Sequence, residues 1–385
     1  MRMTEAIREV FVGKFNTEPL LILSPGRINL IGEHTDYNEG FVLPAAIDKY
    51  ICIAMAISDT AESTVYSADF NETYSFQINT DEKPQGWKAY VKGMLHFIAQ
   101  ESGLLEKGIL AVFSGNIPVG GGMSSSAALC SGIGIGVSHL FNLNLSRLEL
   151  ALMGQQTEHH FAGVKCGIMD QFAVLHGKKD QLIKLDCRDL SYEYIPFNFP
   201  DYRIVMVNTM MSHALAETEY NQRRQQCEDG VAMLKHHYPG IMALRDVQPE
   251  MLREQRHSLP DIIYRRCKYV VEEKERLLQG VEHLKHGHAD NFGELMYQTH
   301  DGLSRDYAVS CPELDFLVDA ARRMKVTGSR MMGGGFGGCT LNLVAADQTD
   351  HFIETISGEY REKFSRNPEV YQVAIGEGTR VVNAG

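Results

Sequence analysis

The chain has 385 residues, 44% hydrophobic and 22% charged, an ordinary globular composition and enough length for two domains with ample cores. Its 37 basic and 49 acidic side chains leave a net charge of -12, which argues against general binding to nucleic acid or an anionic membrane but allows a local phosphate pocket. No apolar run reaches the roughly 18 residues of a membrane span, and the eight cysteines lack CxxC or zinc spacing, so they read as buried free thiols of a reducing compartment, the cytoplasm.

Residues 3–15 form an amphipathic helix pattern, too interrupted by charge for a signal peptide. Residues 20–23 are a short apolar strand. The segment Ser24 to Pro44, SPGRINLIGEHTDYNEGFVLP, is dense in charge yet carries Ile28, Leu30, Ile31, Phe41, Val42 and Leu43. A buried polar loop needs such anchors, provided a ligand satisfies its charges. Glu33, His34 and Asp36 offer acceptors and a donor within four residues, a kit for a polyhydroxylated ligand. The alternative is a salt-bridged turn with Arg27 as internal partner. A zinc site is disfavoured, since no second His follows at helical spacing.

Strand patterns cover 48–57, 64–67 and 73–78. Trp87, the only tryptophan, precedes a helix over 89–100, either as core packing or as a stacking face for an aromatic base. A strand at 108–114 leads into Pro118 to Ala128, PVGGGMSSSAA. Its glycines allow backbone conformations that a Cβ obstructs. Three serines follow as good N-cap residues, and an Ala-rich helix runs to about 141. Either this is a glycine turn before a core helix, or the helix N–H groups and dipole form a phosphate site; the serine hydroxyls can also ligate Mg²⁺.

A helix over 146–161 opens on Ser146 and Glu149 at capping-box spacing. Glu158 sits in its last turn, where a carboxylate opposes the dipole, and is the candidate Mg²⁺ ligand opposite the serines. Asp170, in the apolar run GVKCGIMDQF, is a cap or a functional acid; no adjacent helix signal supports the cap. Strands follow at 181–186, 192–196 and 203–208, and the proline-bearing loop 197–202 is the candidate domain junction. A polar helix over 217–237 has Tyr220 at its start, and helical patterns recur at 262–278, 280–285, 289–300 and 314–324.

The stretch VTGSRMMGGGFGGCTLNLV, 326–344, formally matches GxGxxG. The alternation after it reads as a strand, whereas a dinucleotide fingerprint needs a helix there. Its glycines are placed to admit a ligand or another loop. A helix over 350–364 and a strand over 369–375 follow. The absence of GxxxxGK[ST] excludes the usual P-loop reading.

Together, the 24–44 segment, PVGGGMSSSAA and MMGGGFGGC resemble the three motifs of the GHMP kinases. GRINLIGEHTDYNEGFVLP is similar, nearly end to end, to the galactokinase signature, and the likeness continues through GVKCGIMDQF and EYNQRR. The resemblance implies an α+β fold of two domains, 1–198 and 199–385, the second ferredoxin-like, with ATP and sugar in the cleft between them. It implies that Gly120, Gly121, Gly122, Met123, Ser124, Ser125 and Ser126 wrap the ATP phosphates, and that Ser126 and Glu158 hold Mg²⁺. Glu33, His34, Thr35, Asp36, Gly167 and Tyr220 would hold the sugar. Asp170 would face the anomeric hydroxyl with Arg27 beside it, and Ser67 and Trp87 would lie near the base or ribose. The loop has GGGM where many relatives have G-A-G-L, a change that keeps size and polarity close.

The implied reaction is phosphorylation of α-D-galactose at C1 by ATP, the first step of galactose catabolism, in a cytoplasmic monomer without nucleic-acid or membrane partners. Asp170 would accept the C1 proton as general base, or only orient the hydroxyl while the proton leaves late. One rival is an N-acetylgalactosamine kinase, which needs a larger pocket near sugar C2. Another is a non-catalytic sugar sensor, in which the serine–alanine pair of the phosphate loop is lost; Ser126 and Ala127 are present here.

Overall fold

A computed structural model describes residues 3–80, 82–103, 106–118, 120–211 and 216–382. Val119 of the glycine–serine stretch and Met1 and Arg2 of the N-terminal pattern lie outside the described residues. So does the side chain of Glu217, where the polar helix was expected to begin.

A six-stranded sheet runs in the order Arg380–Val382, Leu20–Asn29, Pro44–Ile57, Ile109–Gly115, Glu62–Ser67, Glu72–Gln77. Alternation along its strands sends successive side chains to opposite faces. Leu21, Cys52, Ala54 and Val112 pack with Ile7 and Phe11 of the helix Met3–Phe15. Ile22, Ile53, Met55 and Ala111 belong to the main core, with Met94 of the helix Trp87–Ser102 and Ile133 and Val137 of the helix Ser125–Leu140.

A four-stranded antiparallel sheet follows, in the order Gly328–Met331, Cys339–Ala345, Tyr202–Asn208, Glu369–Val373. Val205, Val207 and Val344 pack against the helices Pro312–Arg323 and Thr349–Phe364. Ile204, Met206, Leu341 and Leu343 join the main core of the first sheet. One apolar cluster therefore spans both halves, and the loops at their junction are held against a common core.

Several sequence expectations change. The strand expected at 20–23 continues to Asn29 past an irregularity between Pro25 and Arg27. Trp87 opens its helix instead of preceding it. The helix from Ser146 ends at Thr157 and passes into a wider π turn, Glu158–Ala162. Met169–His176 is a helix, so Asp170 stands in its first turn; burial on nearly every side left no polar face to reveal its period. The patterns at 262–278 and 280–285 are one helix, Asp261–Lys285. Gly280 does not break it, because the Phe292 ring packs there, 3.2 Å from where a Cβ would lie. The short helix Pro249–Glu254 and the strand Arg380–Val382 are additions to the elements the sequence pattern predicts.

Candidate active site

The strand Leu20–Asn29 carries Arg27 to the start of the helix Ser125–Leu140. Its N–H donates to the Met123 carbonyl at 3.1 Å, and its guanidinium donates to the Gly122 carbonyl. The same guanidinium grips Asp170 with two parallel bonds, Nε to Oδ1 and Nη2 to Oδ2, both 2.7 Å. Such a planar fork is both strong and directional. Burial works against the charge on Arg27, but Asp170, Glu33 and Asp36 outweigh it and hold the guanidinium above its ordinary pKa. The alternative of a salt bridge internal to the 24–44 segment is not what Arg27 makes, since its ion pair goes to Asp170.

The serines behave differently from expectation. Ser124 occupies the N-cap position with a left-handed φ of 56° and makes no side-chain cap. Its hydroxyl donates to Asp170 Oδ2. The helix start thus keeps its positive end without a side-chain cap, which suits an anion. Gly120 and Gly122 have φ of 73° and 69°, a region that strains residues with a Cβ. The third glycine loop faces them: a Cβ on Gly333 would lie 3.4 Å from the Gly122 carbonyl, and one on Gly338 3.5 Å from the Gly120 carbonyl. The expected strand–loop–strand, with close approach to another loop, is what is found.

On the other side of Asp170, Glu33, His34 and Thr35 are buried. Glu33 Oε2 accepts from the Gly333 N–H at 3.0 Å and from Arg330. His34 Nε2 lies 3.2 Å from the Gly334 carbonyl, which can only accept, so Nε2 carries the hydrogen. Nδ1 then accepts from Tyr37 at 2.7 Å, Tyr37 from Tyr307 at 2.8 Å, and Tyr307 from the Cys227 thiol at 3.2 Å. One carbonyl sets the direction of the whole chain. Burial pushes the imidazole down to about 3, which agrees with this neutral form. Both ring nitrogens are thus committed within the protein, so His34 walls the site more than it serves hydroxyls.

Thr35 does not line the cavity; its hydroxyl lies 2.8 and 2.5 Å from the carbonyls of Gly32 and Phe41, sharing its one hydrogen between them, and braces the loop. Gly167 lies against Asp36, whose Oδ2 would be 2.1 Å from a Cβ there. Burial, then the charge of Asp170, pushes the Asp36 carboxyl up to about 7.

A cavity of about 250 Å³ lies between these groups, lined by Arg27, Glu33, His34, Asp36, Asp170 and Tyr220. That is below the roughly 300–1,000 Å³ of drug-sized pockets, so only a small ligand fits it. Ser126 and the buried Glu158 line the same cavity. Ser67 does not line it; it is buried, its hydroxyl accepting from the Phe70 N–H at 3.4 Å. Trp87 is half-buried, at steep angles to the rings of Phe113 and Tyr74, with its Nε1–H on Glu72 at 2.9 Å. Arg330, Tyr37 and Tyr307 join the site without belonging to the residues the sequence motifs single out. For Arg330 a signal existed: an arginine in a short strand just before a glycine loop needs a buried partner.

The raised Asp36 carboxyl gives a pH test. Its folded pKa lies above the ordinary 3.8, so its contribution to stability is full below about pH 4 and is lost as pH rises through about 7. Asp36→Asn is therefore expected to gain stability over the parent, by an amount that grows from pH 5 to 7 and then levels. Urea unfolding of both proteins across pH 5–8, without sugar, measures it; a gain that shrinks with pH places the proton elsewhere.

Residues 89–178 match the GHMP kinases N terminal domain, 281–354 the GHMP kinases C terminal domain, and 9–57 the galactokinase galactose-binding signature. The fold is that of the GHMP kinases, and the kinship is to sugar kinases, ATP-using enzymes. The chain is 38% identical to the galactokinase of Roseiflexus sp. (strain RS-1) over 97% of this chain and 96% of that one. It is also 38% identical to that of Bacillus subtilis (strain 168), over 98% and 99%. The crystal structure of Lactococcus lactis galactokinase complexed with galactose matches with a TM-score of 0.95 at 35% identity, covering 99% of this chain and 100% of that one. The chain belongs to the galactokinase family. A mevalonate kinase at 19% identity and TM-score 0.63 shares the fold. No helix among the described residues is long and apolar enough to cross a membrane.

Proposed function

We propose that this protein transfers the γ-phosphoryl group of ATP to the C1 hydroxyl of α-D-galactose, as a cytoplasmic monomer. The observation that supports it most is the joint of Arg27, Asp170 and Ser124, set between the start of the helix Ser125–Leu140 and a sugar-sized cavity. In this reading Gly120 to Ser126 cup the phosphates with main-chain N–H groups. Glu33, Asp36 and Tyr220 take the sugar hydroxyls, while His34, Thr35 and Gly167 shape the loop. Ser67 belongs to the outer end of the nucleotide. A division at 198/199 puts the sugar signature, the phosphate loop and Asp170 on one side and the third glycine loop on the other, with the last strand crossing back.

Both oxygens of Asp170 already carry donors, and these compete with a sugar hydroxyl for its lone pairs. That favours the version in which Asp170 orients the C1 hydroxyl and receives its proton late. A loose phosphoryl-transfer transition state asks for little early base assistance. Arg27 touches Asp170 and the phosphate loop at once, so it ties the acceptor to the donor and neutralises developing charge.

Mg²⁺ fits the residues present. Ser126 and Glu158 line one space, and no cluster of three or more His, Cys, Asp or Glu is placed to hold a metal alone among the described residues. Mg²⁺ is usually held by one or two carboxylates plus substrate phosphates. When bound there it would neutralise phosphate charge.

The reading is tested by ATP-dependent ADP release with galactose, N-acetylgalactosamine, glucose and talose. Galactose is expected to dominate. Preference for N-acetylgalactosamine, or galactose binding without turnover, would overturn it in favour of one of the two rivals.

A further inference from the structure

We propose that Arg330 is a positioning residue for sugar recognition, fixing the Glu33 carboxylate so that only its second oxygen is offered to the sugar. This deepens the sugar-kinase reading and rests on it. Arg330, from the strand Gly328–Met331, is the largest fully buried side chain among the described residues. Each arm has its own address. Nε donates to the Met331 carbonyl at 2.8 Å, Nη1 to the Asn29 carbonyl at 3.1 Å, and Nη2 to Glu33 Oε2.

The two carbonyls fix the plane of the guanidinium, and the guanidinium with the Gly333 N–H at 3.0 Å fixes Oε2. Oε1 is the oxygen these donors do not use, and Glu33 lines the cavity. The strand is pinned from behind as well. Met331 N–H donates to His300 Nδ1 at 3.2 Å, which leaves the His300 Nε2–H to donate to Asp315 at 3.2 Å.

A buried ion pair is a weak source of stability, since desolvation offsets its attraction. Orientation explains this one better. It joins residues 297 positions apart, one from the sugar signature and one from the strand before the third glycine loop. Lysine would keep the charge but, as a point charge, could not hold three addresses in one plane.

The test uses the full chain, ATP, galactose and its 2-, 3-, 4- and 6-deoxy analogues. Glu33→Gln first identifies the hydroxyl that Glu33 accepts from, as the position whose removal no longer matters. Arg330→Lys is then expected to raise KM for galactose about 10-fold or more, the scale of a hydrogen bond to a charged group. The KM for ATP should stay within about 2-fold. The penalty for removing the Glu33-bound hydroxyl should shrink while the other penalties persist. In the Glu33→Gln background, Arg330→Lys should add less than about 2-fold. A uniform rise across all analogues, the mark of loosened packing, overturns the proposal, and so does an unchanged KM.

If Arg330→Lys does not fold, Arg330→Gln with Glu33→Gln removes both charges together and is compared with Glu33→Gln alone. No further loss of sugar affinity supports the proposal; a further loss beyond about 5-fold overturns it. A parent inactive on galactose itself defeats the kinase reading, whereas failure of this proposal leaves an active parent.

Discussion

Asp170→Asn is expected to lower kcat by at least about 100-fold, the lower range for a positioned acid–base group, while the protein stays folded and binds sugar. The substitution is nearly isosteric. Its amide oxygen can still accept from one arm of Arg27. Its NH₂, at the Oδ1 position, cannot accept from the other arm, so at least one of the three bonds on the carboxylate is lost. Arg27 keeps Glu33 and Asp36 as charge partners, which limits the damage to the fold. The sugar contacts assigned to Glu33, Asp36 and Tyr220 are untouched. The expected pattern is therefore a large fall in kcat with little change in sugar Kd. Steady-state kinetics and calorimetric titration with galactose read the two separately, and near-normal turnover would refute the role given to Asp170.

The sequence carried the composition of this site better than its wiring. The 24–44 segment announces burial because Ile28, Leu30 and Ile31 interrupt its charges, and all three are buried. The glycine–serine stretch announces a helix start, and the helix is there. Which charge meets which is a long-range matter that periodicity does not encode. Arg27 reaches across 143 positions to Asp170, and Glu33 across 297 to Arg330. Ser124 has the chemistry of a cap, yet a carboxylate within reach outcompetes its own helix for the hydroxyl. The helix carrying Asp170 has no readable period because local amphipathicity fades when nearly every face is covered. The strand Arg380–Val382 is three residues long, too short to show any period, and only its pairing with Leu21, Ile22 and Leu23 defines it.

The contrast between Arg27→Met and Arg27→Lys separates the two tasks of this arginine. Arg27→Met strips Asp170 of its cation and releases the Gly122 carbonyl. Breaking a buried pair by removing one member costs about 3–5 kcal/mol. The Asp170 side chain is 26% exposed, so solvent recovers part of that and the expected loss is about 3 kcal/mol, at the low end of the range. Turnover should fall by about 100- to 1,000-fold, as when one preorganised donor is removed from a transition state. Arg27→Lys keeps a positive charge near Asp170, so most of the stability should return. The fork is still gone, and a point charge cannot hold both carboxylate oxygens and the Gly122 carbonyl in one plane. The lysine variant should therefore melt close to the parent yet remain at least about 10-fold slow. Urea midpoints and kcat measured on the same preparations decide the matter. A lysine variant with full activity would show that charge alone suffices, and that the geometry joining the phosphate loop to Asp170 is incidental to the reaction.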